Sequence, residues 1–207
     1  MTTVAATYEC TLLGILPSQR LASTIEVLRG LCPIEEKNFS IWEVFYRLEA
    51  AGSQPNDLVA RCWLSPERAN TWMLRYLGRA AQQDKLTIGV RSIIDIPINN
   101  DNLIQFLSVL GCKQQEEYVR RGILFRTRKN ISITVSRVHM VPQRNQPESA
   151  LVTHEESYVV HASTIVQKDG LSDATDDLNA LASYLKPDVE LSKANTEKPI
   201  IGVSILK

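Results

Sequence analysis

Three histidines, His139, His154 and His161, are the side chains best able to ligate a metal or move a proton near neutral pH. No H-E-x-x-H pair, G-x-S-x-G turn or glycine-rich phosphate loop accompanies them. His154 and His161 stand an odd number of positions apart, so on a strand their side chains point to opposite faces. A metal site needs at least three convergent ligands, and the sequence therefore predicts structural histidines, with no catalytic residue, metal or cofactor.

A cluster of basic residues is the next candidate, and it consists of Arg120, Arg121, Arg126, Arg128 and Lys129. Arg120, Arg126 and Arg128 share strand parity and could form a positive stripe. No aromatic residue is interleaved on that parity to stack bases, so we expect no direct sequence-specific contact with nucleic acid. Two interpretations stay open: a solvated hairpin tip, or an acidic protein surface contacted by Arg126 and Arg128.

Two aromatic residues, Phe45 and Trp63, lie on the opposite parity from the main apolar set of their strands. One or both would then face outward, and outward aromatics on a sheet are typical of a partner surface. The alternative is that peripheral helices cover them, since the apolar stripes of those helices must also be buried. Phe45 and Trp63 are therefore candidate partner-binding residues.

The elements that carry these residues are mostly strands. Residues 100–138 predict a short capped helix and then a long β-hairpin, whose second strand alternates Ile131, Ile133 and Val135 with polar residues. Further strands are predicted at 8–13, 39–49, 58–64, 71–77, 86–96, 157–166 and 200–206. Apolar stripes at helical spacing predict two more helices, at 21–32 and 174–185.

This count of about eight or nine strands favours a mostly β (α+β) fold, because many evenly spaced strands remove their free edges by closing into a barrel. We predict a single closed or nearly closed antiparallel β-barrel with three short peripheral helices. It forms one domain over residues 1–207, with flexible segments near 141–153 and 187–198. Two helices, at 21–28 and 178–185, are candidate walls of a binding groove.

The composition excludes several classes of function. Lys plus Arg and Asp plus Glu both number 23 in 207 residues, so no global field recruits nucleic acid or a membrane. The four cysteines are far apart and lack a C-x-x-C pair, which predicts buried thiols in a reducing compartment. No apolar run approaches the ~18 residues of a membrane helix, and no secretion signal is visible. We therefore expect an intracellular protein without a membrane partner.

Several short motifs resemble one family. FLSVLG, YVRRGILFR and ISITVSRV, with LRGLC at 28–32, LRYLG at 74–78 and LKP at 185–187, are similar in order and spacing to the landmarks of subunit 18 of the Mediator transcription coactivator complex. The resemblance implies a non-catalytic nuclear protein of the Mediator head module, folded as a barrel. It also implies pairing with subunit 20, tethering by the C-terminal helix of subunit 8, and a link to RNA polymerase II in transcription regulation.

The alternative function follows from that implied fold, since the family's barrel is similar to that of the tunnel triphosphatases. Those metal-dependent enzymes need carboxylates at alternate positions, so that both point into the barrel and hold the metal. Here the acidic pairs at 35–36, 116–117 and 155–156 are adjacent, which sends one carboxylate in and one out. Asp188 and Glu190 alternate but lie in a polar linker, so the sequence favours the non-catalytic function.

Overall fold

The computed structural model describes residues 6–49, 54–65, 71–80, 86–99 and 102–193. Within these ranges the chain forms nine strands and three α-helices. The strands are β1 (Thr7–Pro17), β2 (Glu35–Leu48), β3 (Asn56–Trp63), β4 (Trp72–Ala80), β5 (Gly89–Ile98), β6 (Lys113–Arg126), β7 (Ser132–Met140), β8 (Leu151–Val152) and β9 (Ser157–Val166). The helices are α1 (Leu21–Leu31), α2 (Leu103–Val109) and α3 (Leu171–Leu185).

Eight of the strands close into an antiparallel barrel. Their order is β6-β2-β3-β4-β5-β1-β9-β7, and pairing of β6 with β7 joins the two ends. The two-residue strand β8 continues the edge of β7 beyond the point where β9 leaves it. The predicted fold class is confirmed, and the predicted strand at 200–206 lies outside the described residues.

The apolar parity of several strands faces outward, beneath the helices. Buried residues of β1 such as Cys10, Leu12 and Leu16 share one core with Leu28 of α1 and Leu178 of α3. A strand that alternates apolar and polar residues must bury its apolar side against something, and here that cover is a helix layer. This packing buries the apolar stripes of both helices, and a groove walled by these helices stays a prediction.

A second outer core lies beneath α2. Leu103 and Leu107 of this helix pack with a cluster of strand residues that includes Trp42, Val44, Tyr46, Trp72 and Val119. The helix buries less than its sequence predicts, because Phe106 and Leu110 on the same apolar face remain more than half exposed. Only the part of the stripe centred on Leu107 therefore contacts the barrel.

The inside of the barrel contains an apolar layer. It is formed by Leu13, Phe45, Val59, Tyr118, Val138 and Val159. The rings of Phe45 and Tyr118 stack with their centroids 5.4 Å apart, and the Phe45 side chain is 4% exposed. The expectation that Phe45 faces a partner is wrong, because its parity on β2 points into the lumen and not to the outer surface.

Gly122 marks the closest approach of β6 and β7. A Cβ atom at this position would lie 2.0 Å from the Val135 carbonyl oxygen and 2.6 Å from the Ser136 Cα. Both contacts are with backbone atoms, which cannot move aside as a flexible side chain can. Glycine is therefore required here for the two strands to pair along their length.

The connection after β7 is attached to the barrel by one buried carboxylate. Glu117 accepts hydrogen bonds from the Trp42 indole Nε1 at 3.0 Å, the Asn145 backbone N at 2.9 Å and the Gln114 Nε2 at 3.2 Å. The flexibility expected for 141–153 stays a prediction. All four cysteines are buried and unbonded, as predicted. None of the described helices is long and apolar enough to cross a membrane.

Candidate functional site

The lumen of the barrel carries a charged cluster next to its apolar layer. Its first part is a triad in which Glu43 accepts hydrogen bonds from Arg61 Nε and Arg120 Nε, each at 2.6 Å. β2 places Glu43 between β3 and β6, directly opposite Arg61 and Tyr118. Burial alone raises the pKa of Glu43, but the Arg120 and Arg61 guanidiniums outweigh it and bring the pKa down to about 2. Glu43 is therefore an ionised, fully engaged carboxylate at neutral pH.

A second triad faces the first from the other side of the lumen. Arg75 of β4 donates from Nη1 to Glu9 Oε1 at 2.6 Å, from Nη2 to Asp95 Oδ2 at 2.6 Å and from Nε to Asp95 Oδ1 at 2.5 Å. Burial raises the pKa of Glu9, and the charge of Arg75 more than offsets it, so the pKa lies below its ordinary value. Both acids are again bound by a guanidinium.

His161 of β9 lines the same enclosed space as Glu9, Glu43 and Arg120, a cavity of about 40 Å³. Its Nε2 atom has no hydrogen-bond partner among the described residues. Burial, against the opposing effect of Glu9, lowers the pKa of His161 to about 4. The imidazole is therefore neutral near pH 7, and the cavity is large enough for a few water molecules only.

This arrangement is unlike a metal site. In the part of the chain that the structure describes, no three His, Cys, Asp or Glu side chains converge to hold a metal ion. The three luminal carboxylates accept charged hydrogen bonds from arginines, and a metal would have to displace those bonds. The luminal carboxylates among the described residues are therefore engaged in ion pairs with arginines.

The sequence reasoning missed the acids that line the lumen. It weighed the adjacent pairs, whereas Glu9 and Glu43 each stand singly on the polar parity of a strand. The signal was present, since Glu43 alternates with Trp42 and Val44, but alternation alone does not say which side of the strand faces the lumen. In this barrel the polar parity faces inward, because helices cover the apolar side.

The predicted basic stripe does not form. Arg120 points into the lumen and pairs with Glu43, whereas Arg126 lies near the end of β6 with its Nε 3.1 Å from Glu35 Oε2. Arg128 is exposed in the turn between β6 and β7. Trp63 is half-buried at the end of β3, far from full exposure. Partner binding by Arg126, Arg128 and Trp63 stays a prediction.

Two other arginines come together on the outer surface. Arg121 of β6 lies directly opposite Arg137 of β7 in the strand register. Arg137 is held in place, since its Nη2 donates to the Glu155 carbonyl oxygen at 2.7 Å and its guanidinium lies 4.5 Å from the Tyr158 ring centre. Each arginine is visible in the sequence, but their pairing depends on the hairpin register.

These arginines line a groove of about 670 Å³ on the outside of the barrel, which we call the outer groove. Its lining residues are Leu21, Asn38, Phe39, Ser40, Leu64, Ser65, Arg121, Gly122, Ile123, Val135, Arg137, His139, Val152 and Tyr158. No aspartate or glutamate is among them, within the ranges that the structure covers. Burial, Arg121 and Arg137 all lower the pKa of His139, so this imidazole is neutral near pH 7.

Comparison with known proteins decides the family. A family model described as "Med18 protein" matches residues 48–196. The protein called Mediator of RNA polymerase II transcription subunit 18 in Xenopus tropicalis is 33% identical over 193 residues, which cover 92% of this chain and 90% of the relative. This chain belongs to the Mediator subunit 18 family. The Danio rerio member is 31% identical over 194 residues and the Arabidopsis thaliana member 23% over 199.

Solved structures show the same barrel in two kinds of protein. A chain of the Schizosaccharomyces pombe Mediator head module superposes with a TM-score of 0.71, at 17% identity, over 90% of this chain and 98% of the other. The Mimivirus capping enzyme triphosphatase superposes with a TM-score of 0.54, at 9% identity, over 89% and 91%. These likenesses concern the fold, whereas the sequence relatives give the family.

Proposed function

We propose that this chain is a non-catalytic, nuclear subunit of the Mediator head module that acts as a scaffold and docking surface in RNA polymerase II transcription. The observation that carries the proposal is the contrast between the two sides of the barrel wall. Inside, Glu9, Glu43 and Asp95 accept hydrogen bonds from arginines. Outside, the wall offers an open apolar groove, and membership of the Mediator subunit 18 family supports an assembly role.

The proposed partners are subunit 20, a related barrel, the C-terminal helix of subunit 8, and RNA polymerase II. The test is co-expression of this chain with subunits 8 and 20 of the same organism, followed by affinity purification through a tag on this chain. We expect an equimolar complex that survives gel filtration. Elution of the chain alone, with subunits 8 and 20 folded in the flow-through, contradicts the proposal.

Contact with RNA polymerase II is proposed for Arg126 and Arg128 at the tip of the β6–β7 hairpin, with Trp63 as a second contact. The double charge reversal Arg126→Glu with Arg128→Glu should weaken polymerase capture at low salt. Exposed charges attract an acidic surface across solvent, and dissolved salt screens that attraction. A matched control is Arg79→Glu, an exposed arginine of β4. Polymerase capture that is unchanged across salt concentrations removes the arginines from this role.

The alternative is a metal-dependent triphosphate hydrolase, which the fold likeness to a capping enzyme triphosphatase keeps open. It predicts release of phosphate from a nucleoside triphosphate in the presence of Mn²⁺ or Mg²⁺. We expect no release above that of the parent chain in EDTA, because the luminal acids are bonded to arginines. Metal-dependent release that EDTA abolishes would replace the docking function by catalysis.

A further inference from the structure

The outer groove contains an electrostatic conflict. Arg121 and Arg137 are direct cross-strand neighbours on β6 and β7, and like charges placed opposite each other destabilise a strand pair. Neither arginine forms an ion pair with any residue that the structure describes. Arg137 cannot simply swing away, because Glu155 and Tyr158 hold its guanidinium. The groove wall therefore presents two adjacent positive charges without a counter-charge.

The rest of the groove is mainly apolar. Leu21, Ile123, Val135, Val152 and Tyr158 line it, and Val152 is 37% exposed. A groove of this size on the outside of a protein, with apolar walls and a few placed polar groups, is typical of a surface that binds another chain. Nucleic acid is disfavoured, because the aromatic rings that would stack bases are occupied: Phe39 is 9% exposed and Tyr158 is covered by Arg137.

We propose that the outer groove binds a segment of another protein in which aliphatic side chains flank an aspartate or glutamate. The aliphatic side chains pack on the apolar lining, and the carboxylate lies between Arg121 and Arg137, where it relieves their repulsion. This inference rests on the proposed docking function and adds the chemistry of the partner at one surface.

The first test uses the full chain and synthetic peptides. The probe is a fluorescent helical peptide of Leu and Glu of about five turns, roughly 18 residues. Matched peptides replace every Glu by Gln or by Lys. We expect the Glu peptide to bind more tightly than the Gln peptide, with an affinity that falls as salt rises, and the Lys peptide not to bind. Equal binding of the Glu and Gln peptides overturns the proposal.

The variant Arg121→Glu links this binding to the groove. It should weaken the Glu peptide at least about tenfold and improve binding of the Lys peptide, because it reverses the charge next to Arg137. It should not lower the melting temperature, since it replaces a like-charge cross-strand pair by an opposite-charge pair. Arg79→Glu, at an exposed position of β4, is the matched control and should leave both affinities unchanged. Retained tight binding by Arg121→Glu contradicts the assignment.

A second test separates this inference from the proposed function. A photoreactive phenylalanine derivative replaces Val152 in the chain co-purified with subunits 8 and 20, and the cross-linked peptides are identified by mass spectrometry. We expect segments that contain Asp or Glu beside Leu, Ile or Val. Assembly without such cross-links removes the groove inference but leaves the docking function. Failure to assemble removes the docking function, and the peptide measurements still decide the chemistry of the groove.

Discussion

The Nε atom of Arg120 lies 2.6 Å from Oε2 of Glu43, in the interior of the barrel. The same carboxylate accepts a bond from Arg61 through its other oxygen, also at 2.6 Å. Glu43 is 2% exposed, so these charges interact in a medium of lower dielectric than water. The ion triad thus links β2, β3 and β6 inside the barrel, next to the apolar layer that packs in the same lumen.

Glu43→Gln should destabilise the protein strongly. The substitution keeps the size of the side chain but leaves two half-buried guanidiniums without their fully buried counter-charge, and breaking a buried ion pair in this way costs about 3–5 kcal/mol. The free energy of unfolding from urea denaturation measures it. Glu49→Gln is the control: its pair with Lys113 is exposed, so the expected loss is below about 1 kcal/mol. Similar losses for both variants would contradict the burial of the triad.

The pH dependence of stability should reflect His161. Its pKa is about 4 in the folded protein against an ordinary value of 6.5. The unfolded chain therefore binds the proton first as pH falls, so stability present above pH 6.5 is lost progressively down to pH 4, by an amount on the order of 3 kcal/mol.

Thermal unfolding of the parent chain and of His161→Gln between pH 7 and pH 4 measures this effect. The variant should show a flatter profile across that range, because it lacks the group that takes up the proton. An identical slope in the two proteins would mean that His161 takes up its proton at the same pH in the folded and the unfolded chain.

Gly122→Ala should destabilise the barrel by several kcal/mol, because the new Cβ would meet backbone atoms of Val135 and Ser136. Gly30→Ala is a well-matched control. No atom lies within 4 Å of a Cβ built at Gly30 in α1, and alanine is favoured over glycine in a helix by about 1 kcal/mol. The two variants should therefore shift the melting temperature in opposite directions. An unchanged melting temperature for Gly122→Ala would contradict the close approach of β6 and β7.

Leu107→Ala should cost about 2–5 kcal/mol, because this side chain is 1% exposed beneath α2 and its removal leaves a cavity. Val109, two positions further along the helix, is 81% exposed, and Val109→Ala should change stability little. Chemical denaturation of both variants tests the orientation of α2. Equal effects would mean that the helix does not lie on the barrel as described.

Strand positions and the closed barrel were predictable because the alternation of residues such as Ile131, Ile133 and Val135 is a local signal. The side of the barrel to which each strand face points was not predictable in this way. Alternation separates two sides of a strand but does not say which side a helix covers, so Phe45 became a candidate for the outer surface and Glu43 was not singled out. Both side chains are instead buried in the lumen.

The outer groove could not be predicted from local sequence patterns, for a different reason. Arg121 and Arg137 are 16 positions apart, and only the register of the hairpin makes them neighbours. Register depends on the turn between the strands and on the close approach at Gly122, which are properties of the folded chain. The parity of a single strand therefore indicates Arg120, Arg126 and Arg128 as a stripe and does not reveal this pair.

The outward-facing apolar wall has a consequence for shortened versions of the chain. Truncation before Leu171 would remove α3. It would expose Leu12, Leu16 and Val160 to solvent, and these side chains are almost fully buried when the helix is present. The barrel strands and their ladder of hydrogen bonds would all remain. We expect such a truncated protein to aggregate through this exposed apolar surface, even though its strands still pair. Truncation from this end should therefore lower the solubility of the protein.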